Sequence, residues 1–125
     1  MKTIAVDFDG VIHRYSGGWK DGSIYDPPMP GALDGIFRLM RAGYAVFCHS
    51  TRDAEQIVKW FREEVFTAEQ MFAVQVIPED VVFWNERYTL GVTNRKLPAV
   101  AYIDDRAYTF TAWDQVGIDF GVRDA

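Results

Sequence analysis

The chain has 125 residues, 49% of them hydrophobic and 25% charged, which predicts one globular domain over residues 1–125. Its formal net charge of -5 argues against a protein that grips long nucleic acid, although a small phosphorylated partner is compatible with it. No apolar run approaches the ~20 residues that span a bilayer, the start carries no secretory signal, and Cys48 is the only cysteine. We therefore expect a cytoplasmic protein without a membrane partner.

Two carboxylates follow the first predicted strand. Residues 2–6 form a short apolar, β-branched run that is typical of a buried strand, and Asp7 and Asp9 come directly after it. Gly10 marks the place where the chain turns. Ligands bind beyond the carboxyl ends of the strands in an open parallel sheet, so this segment is the first candidate for a functional site.

Strands and helices alternate along the rest of the chain. The predicted elements, in order, are an irregular segment at 13–30, a helix with apolar residues at 33–40, a strand at 44–48, a helix that begins at Asp53, β-like runs at 73–77 and 81–84, a strand at 98–103 and a tail around Trp113. This order predicts right-handed crossovers and a mostly parallel sheet with helices on its faces. The expected fold is a single three-layer, Rossmann-like α/β domain.

A second acidic pair follows the last predicted strand. Residues 98–103 lead into Asp104 and Asp105, and four carboxylates crowd one edge if this strand neighbours the first. Two unit charges about 4 Å apart repel by roughly 4 kcal/mol at an effective dielectric constant near 20. A divalent cation, a lysine or protonation must relieve such a cluster, so we expect a hard metal ion there.

The polar residues at the strand ends suit phosphoryl transfer from a monoester. This reaction needs an in-line nucleophile, positive charge and donors on the phosphoryl oxygens, and a proton source for the leaving group. Asp7 can be the nucleophile, since a carboxylate needs no activating base, and Asp7 and Asp104 can hold Mg²⁺. Ser50 can donate to a phosphoryl oxygen and Lys96 adds positive charge. Asp9 can carry the proton, because neighbouring carboxylates favour its protonated form.

These residues, in this order, resemble the haloacid dehalogenase superfamily of phosphotransferases. Its first motif, Asp-x-Asp-Gly-Val/Thr, matches residues 7–11, and its second, an apolar strand ending in Ser or Thr, matches residues 46–50. Its third motif is a lysine upstream of the final strand, as Lys96 is. Its fourth is an acidic pair after an apolar strand, as at Asp104 and Asp105. Within the superfamily the chain is similar to the small capless phosphatases found in bacteria and phages.

The resemblance implies a Mg²⁺-dependent phosphomonoesterase that acts through an aspartyl-phosphate on Asp7, with a nucleotide or sugar phosphate as substrate. Neither 13–30 nor 73–94 is long enough for a large cap. The expected catalytic residues are Asp7, Asp9, Ser50 and Lys96; the expected substrate-binding residues are Ser50, Thr51, Arg52 and Lys96; the expected metal ligands are Asp7, Asp9, Asp104 and Asp105.

Some of these assignments stay open between neighbours. Thr51 competes with Ser50 as the phosphate-binding hydroxyl, and Arg95 competes with Lys96. Arg52 either reaches a substrate or pairs with an acidic neighbour. A structural role is the simpler interpretation for the other polar and aromatic residues near the expected site, which are His13, Tyr15, Trp19, Tyr25, Cys48 and His49.

Two other classes of protein are alternatives to a phosphatase. A receiver-like signalling domain also uses acidic residues, Mg²⁺, a Ser or Thr and a Lys, but its phosphorylated aspartate follows a middle strand, where this chain has Ser50. A non-catalytic phosphate-binding module could keep the fold without the chemistry. The complete set of Asp7, Asp9, Lys96 and Asp104 argues against that module.

Overall fold

The computed structural model describes residues 1–104 and 111–122. A π-helical turn, Phe61–Val65, extends the second helix. The strands and helices of the described residues are β1 Thr3–Asp7, α1 Ala32–Arg41, β2 Ala45–His49, α2 Ala54–Trp60, β3 Ala73–Val76, β4 Thr89–Thr93, β5 Ala101–Ile103 and α3 Trp113–Asp119. No helix in these ranges has the length and apolar character needed to cross a bilayer.

All the strands pair in parallel, in the order β3-β4-β2-β1-β5. Val6 of β1 lies opposite Cys48 of β2 on one side and Ile103 of β5 on the other. The first and last strands are therefore neighbours, which is the condition under which the sequence analysis expected their carboxylates to crowd one edge. Because the strands run in the same direction, the residues that follow β1, β2 and β5 lie at one edge of the sheet.

The described helices share one face of the sheet. Their buried side chains, such as Ile36, Ile57 and Trp113, pack in one cluster with Val6 and Val46 of the strands. On the opposite face Trp84 packs in a smaller cluster that the strands and two irregular segments form together. The expectation of helices on both faces does not hold for the described residues, where the second outer layer is irregular chain.

The order in which successive strands are placed across the sheet explains why the helices lie on one face. From β1 to β2 and on to β3 the chain moves towards one edge, with a helix in each connection. It then returns through β4 to β5, and right-handed crossovers place these return connections on the other face. The return connections are residues 77–88 and 94–100, too short for a helix of ordinary length and its loops. Trp84 fills the space instead, and a Cβ on Gly91 would lie only 2.7 Å from it.

Two sequence predictions about local structure were wrong or incomplete. The β-like run at 81–84 is irregular, because it belongs to the first return connection and Trp84 packs from it onto the sheet. The strand that pairs there is β4, which the apolar pattern did not reveal.

The predicted start of the second helix is confirmed, since the Asp53 side chain accepts a hydrogen bond from the Glu55 amide as its N-cap.

Candidate active site

Asp7 and Asp104 stand at adjacent strand ends. Val6 and Ile103 are paired residues of β1 and β5, so the next residues along both strands, Asp7 and Asp104, lie side by side at the carboxyl edge. Both are half-buried, and one Asp7 carboxylate oxygen accepts a hydrogen bond of 2.8 Å from the Phe8 amide. The fourth expected carboxylate, Asp105, lies outside the described residues.

A tight turn after β1 determines where Asp9 goes. The Phe8 carbonyl accepts hydrogen bonds from the amides of Ile12 and His13, both at 2.9 Å, and Gly10 adopts a φ of 81°. Glycine is favoured at such a φ because it has no Cβ to clash. The turn buries the Phe8 ring completely and brings His13 back beside Asp9.

Asp9 is surrounded by donors rather than by carboxylates alone. The Arg52 Nε lies 3.1 and 2.9 Å from its two carboxylate oxygens, and the His13 Nδ1 lies 2.9 Å from one of them. Sequence reasoning expected carboxylate neighbours to favour the protonated form of Asp9. The structure adds Arg52 and His13 as hydrogen-bonding neighbours of this side chain.

The second ring nitrogen of His13 indicates which tautomer is present. Its Nε2 accepts a hydrogen bond of 3.0 Å from the Asp26 amide, so the proton of a neutral ring is on Nδ1. That nitrogen can then donate to Asp9. The His13 ring is fully buried and stacks on Phe8, with 5.4 Å between the ring centroids. His13 is therefore a structural partner of Asp9; the sequence analysis favoured a structural role for His13 but did not identify its partner.

Arg52 links Asp9 to the irregular segment that precedes α1. Its NH1 donates a hydrogen bond of 2.6 Å to the Gly22 carbonyl, and its guanidinium carbon lies 4.7 Å from the centroid of the Trp19 ring. The Arg52 residue is 6% exposed. Arg52 therefore pairs with an acidic neighbour, Asp9, which is one of the two roles that the sequence left open for it. We call residues 14–26, which Arg52 holds against the site, the strap.

Internal hydrogen bonds give the strap a defined shape. The amide and hydroxyl of Ser16 both donate to one carboxylate oxygen of Asp26 at 2.6 Å, which lowers the pKa of Asp26. The Tyr25 hydroxyl donates to the Gly18 carbonyl at 2.6 Å and accepts from the Gly17 amide at 3.0 Å. The strap is consequently ordered by its own side chains as well as by Arg52.

Ser50 and Thr51 follow the central strand β2. The Ser50 amide donates to the Thr93 carbonyl at the end of β4, and the Ser50 hydroxyl oxygen accepts from the Arg52 amide at 3.2 Å. The Ser50 backbone N–H is therefore already used in the sheet and does not serve as a donor to a phosphate. The Ser50 hydroxyl proton is still available as a donor, although Ser50 is buried, and Thr51 is exposed.

Lys96 and Arg95 have different surroundings. The Arg95 guanidinium donates to the carbonyls of Val81 and Pro78, both at 2.8 Å, and so ties the two return connections together. Lys96 is exposed, with its Nζ 5.4 Å from the centroid of the Tyr102 ring. Of the two cations, Lys96 is the one whose surroundings suit contact with a substrate.

Burial and nearby charges shift the pKa values of two side chains of β2, His49 and Cys48. Burial lowers the pKa of His49, the nearby Lys96 charge lowers it further, and Asp104 opposes both effects. Lys96 and Asp104 thus lie close enough to His49 to influence the same imidazole. Burial raises the pKa of the Cys48 thiol well above its usual range, and the charges of Asp7 and Asp9 add to the effect. The thiol is therefore protonated and unsuited to nucleophilic chemistry.

The carboxylates at this edge determine whether it can bind Mg²⁺. In residues 1–104 and 111–122, no three His, Cys, Asp or Glu side chains come together as a metal site. Mg²⁺ usually takes one or two carboxylates and keeps several water ligands, so the adjacent carboxylates of Asp7 and Asp104 are compatible with it. The Asp9 side chain is committed to Arg52 and His13.

No family model matches the chain, and no curated protein and no solved structure is significantly similar to it.

Proposed function

We propose that the protein is a Mg²⁺-dependent phosphohydrolase of the haloacid dehalogenase type, and that it acts on a small phosphate monoester such as a nucleotide or sugar phosphate. The observation that carries the proposal is the placement of Asp7 and Asp104 on adjacent strands, beside Ser50 at the end of β2. Asp9 and Lys96 approach the same edge. These groups supply a nucleophile, a proton carrier and a positive charge together.

In the first step a carboxylate oxygen of Asp7 attacks phosphorus in line with the leaving oxygen. The bond between phosphorus and that oxygen breaks, the leaving group takes a proton from Asp9, and the phosphoryl group becomes an acyl phosphate on Asp7. Asp9 must therefore take up a proton before the leaving group departs. General acid assistance of this kind contributes typically about 10²–10⁴ in rate.

In the second step water hydrolyses the acyl phosphate. Asp9 accepts a proton from the attacking water, inorganic phosphate leaves, and Asp7 is free again. The contacts of Asp9 suit this step, because Arg52 and His13 hold its side chain as a hydrogen-bond acceptor. The same two contacts keep its carboxylate at a defined position between turnovers.

Positive charge and donors offset the charge of the phosphoryl oxygens in both steps. Mg²⁺, when bound by Asp7 and Asp104, neutralises part of that charge. Lys96 provides a second cation, and the Ser50 hydroxyl provides a donor. A receiver-like role is less well supported, because the central strand β2 ends in His49 and Ser50 and offers no carboxylate to phosphorylate.

Phosphate release from a panel of esters tests the proposal. The panel contains nucleoside monophosphates, sugar phosphates, p-nitrophenyl phosphate and a phosphopeptide, each assayed with Mg²⁺, with EDTA and with Ca²⁺. We expect release with Mg²⁺, none with EDTA, recovery on adding Mg²⁺ back, and poor activity with Ca²⁺, which prefers looser geometry. Full activity in EDTA would contradict the metal assignment. No release from any ester would contradict the hydrolase assignment.

A further inference from the structure

Trp19 is an exposed indole beside the candidate active site. All four tryptophans lie in the part of the chain that the structure describes, and Trp19 is 64% exposed, whereas Trp60, Trp84 and Trp113 are 6% exposed or less. Aromatic side chains contribute most to a protein's stability when they are buried. An indole left in solvent beside a proposed reaction centre is therefore a candidate contact for a bound molecule.

The Trp19 ring is held in position although it is exposed. It lies over the Arg52 guanidinium at 4.7 Å, and a Cβ on Gly22 would lie 3.3 Å from its Cζ2 atom. Gly22 has a φ of 89°, and its carbonyl accepts a hydrogen bond from the same guanidinium. Because Arg52 and Gly22 already support the ring, little additional order is needed when a ligand stacks on it.

Arg52 also places the ring close to the proposed chemistry. One guanidinium contacts Asp9 through Nε and lies under Trp19. In the proposed reaction Asp9 gives its proton to the leaving oxygen, so the leaving group must begin at Asp9. The Arg52 side chain, on which Trp19 rests, therefore lies beside the point where the leaving group begins.

The other aromatic residues of the strap are used in packing. The Tyr25 hydroxyl bonds to the Gly18 carbonyl, and the rings of Tyr15 and Tyr25 lie 5.7 and 5.3 Å from the His13 ring, measured between centroids. Within the strap, Trp19 is therefore the aromatic side chain with a large open surface.

We propose that Trp19 is a stacking platform for the leaving group, so that the protein prefers phosphate monoesters whose leaving group carries a planar aromatic ring. Nucleoside monophosphates belong to this class, and sugar phosphates do not. This inference rests on the proposed phosphohydrolase function, which it narrows to one class of substrate. The acidic net charge of -5 favours a small ester over a long nucleic acid.

Tryptophan fluorescence tests the platform without turnover. Because the other three tryptophans are buried, the emission that iodide can quench comes from Trp19. The probes are adenosine 5′-monophosphate, ribose 5-phosphate as the matched ester without a ring, and inorganic phosphate, each with Ca²⁺ to suppress turnover. We expect the nucleotide alone to change the Trp19 emission and to protect it from iodide.

Steady-state kinetics with Mg²⁺ give the second measurement. A stacked base contributes enough binding energy for about a 5- to 100-fold change, so Trp19→Ala should lower kcat/KM for the nucleotide by about that factor. It should leave kcat/KM for ribose 5-phosphate unchanged, and Trp19→Phe should keep most of the nucleotide rate. The matched control is Phe83→Ala, which removes another exposed ring from the far face of the sheet.

The two measurements separate this inference from the function on which it rests. Selective protection of Trp19 by the nucleotide supports ring stacking on Trp19. If no ester is hydrolysed in the same protein, the hydrolase proposal fails and Trp19 is a stacking platform for a bound nucleotide rather than for a leaving group. If both esters release phosphate but Trp19→Ala lowers both rates equally, the platform is wrong and the hydrolase proposal survives. Equal fluorescence responses to both esters would also overturn the platform.

Discussion

The two halves of the candidate site are held in place by different forces. In the strand-end half, Asp7 is the last residue of β1, Ser50 and Asp104 directly follow β2 and β5, and the hydrogen-bonded register of the sheet determines their spacing. In the strap half, the strap is held by Arg52 and by hydrogen bonds of its own side chains, and Arg52 together with His13 holds Asp9, where the two halves meet. The first half is as rigid as the sheet that carries it. The second half depends on a few polar contacts.

This difference separates the proposed nucleophile and metal ligands from the strap, which is the proposed selecting element. Backbone pairing of buried strands opens only with much of the fold, whereas a loop held by side chains opens at lower free energy. The nucleophile and the proposed metal ligands belong to the rigid half. The strap, which covers the leaving-group side in our proposal, can adjust without disturbing them.

The largest expected effect comes from the strand-end half. Asp7→Asn removes the attacking carboxylate and a metal ligand, so we expect phosphate release from every ester to fall by on the order of 10⁴-fold or more. Circular dichroism should show the fold unchanged, because the register of β1 does not depend on this side chain. Asp34→Asn removes an exposed carboxylate of α1 and serves as the control. Wild-type rates in Asp7→Asn would mean that the nucleophile is another residue.

The next effect concerns Asp9, which lies where the two halves meet. Asp9→Asn removes the proton carrier, but p-nitrophenyl phosphate has a good leaving group that barely needs a proton. We expect rapid release of about one equivalent of nitrophenol, followed by turnover slowed about 10²–10⁴-fold as the acyl phosphate accumulates on Asp7. Quenched-flow measurements would resolve the two phases. An alkyl phosphate should give no burst, and a burst with that ester would argue against Asp9 as the acid.

The smallest expected effect on rate comes from breaking the strap half. Arg52→Gln removes the ion pair with Asp9, so we expect a loss of about 2 kcal/mol in the free energy of unfolding and roughly a 10- to 100-fold loss in kcat/KM. Arg52→Lys should recover little, because a lysine cannot reach both Asp9 and Gly22 as the guanidinium does.

An exposed ion pair provides the matched comparison for Arg52. Arg38 and Asp34 are 2.8 Å apart, close to the 2.9 Å of Arg52 and Asp9, but their side chains are 30% and 56% exposed, whereas those of Arg52 and Asp9 are 3% and 23% exposed. Exposed pairs contribute about 0–1 kcal/mol, so Arg38→Gln should change urea unfolding little and kinetics not at all. Equal effects of Arg52→Gln and Arg38→Gln would show that the strap does not depend on Arg52.

The strand-end half could be predicted from local patterns. An apolar run followed by polar residues identifies a strand end, and the rule that parallel strands share one edge brings Asp7 and Asp104 together. The contact between Arg52 and Asp9 could not be predicted this way, because it joins residues 43 positions apart through the reach of one side chain. Arg52, which contacts Asp9 within the described residues, was nonetheless among the candidate residues.

The layer without helices was missed for a different reason. Alternating strands and helices indicate crossovers, but they do not say in which direction each step crosses the sheet. Strand β4 was also obscured, because Gly91 interrupts its apolar pattern. That glycine is explained only by Ile77 and Trp84, which lie too close to its backbone for a larger residue.

The sole cysteine has a consequence for measuring motion in this protein. Cys48 lies fully buried in the central strand β2, and its thiol is protonated. A thiol reagent can therefore react only when the cluster around Cys48 opens, by separation of the strands or of the helices packed on them, and the labelling rate reports how often that happens. The chain thus contains a natural probe for opening of its main hydrophobic core.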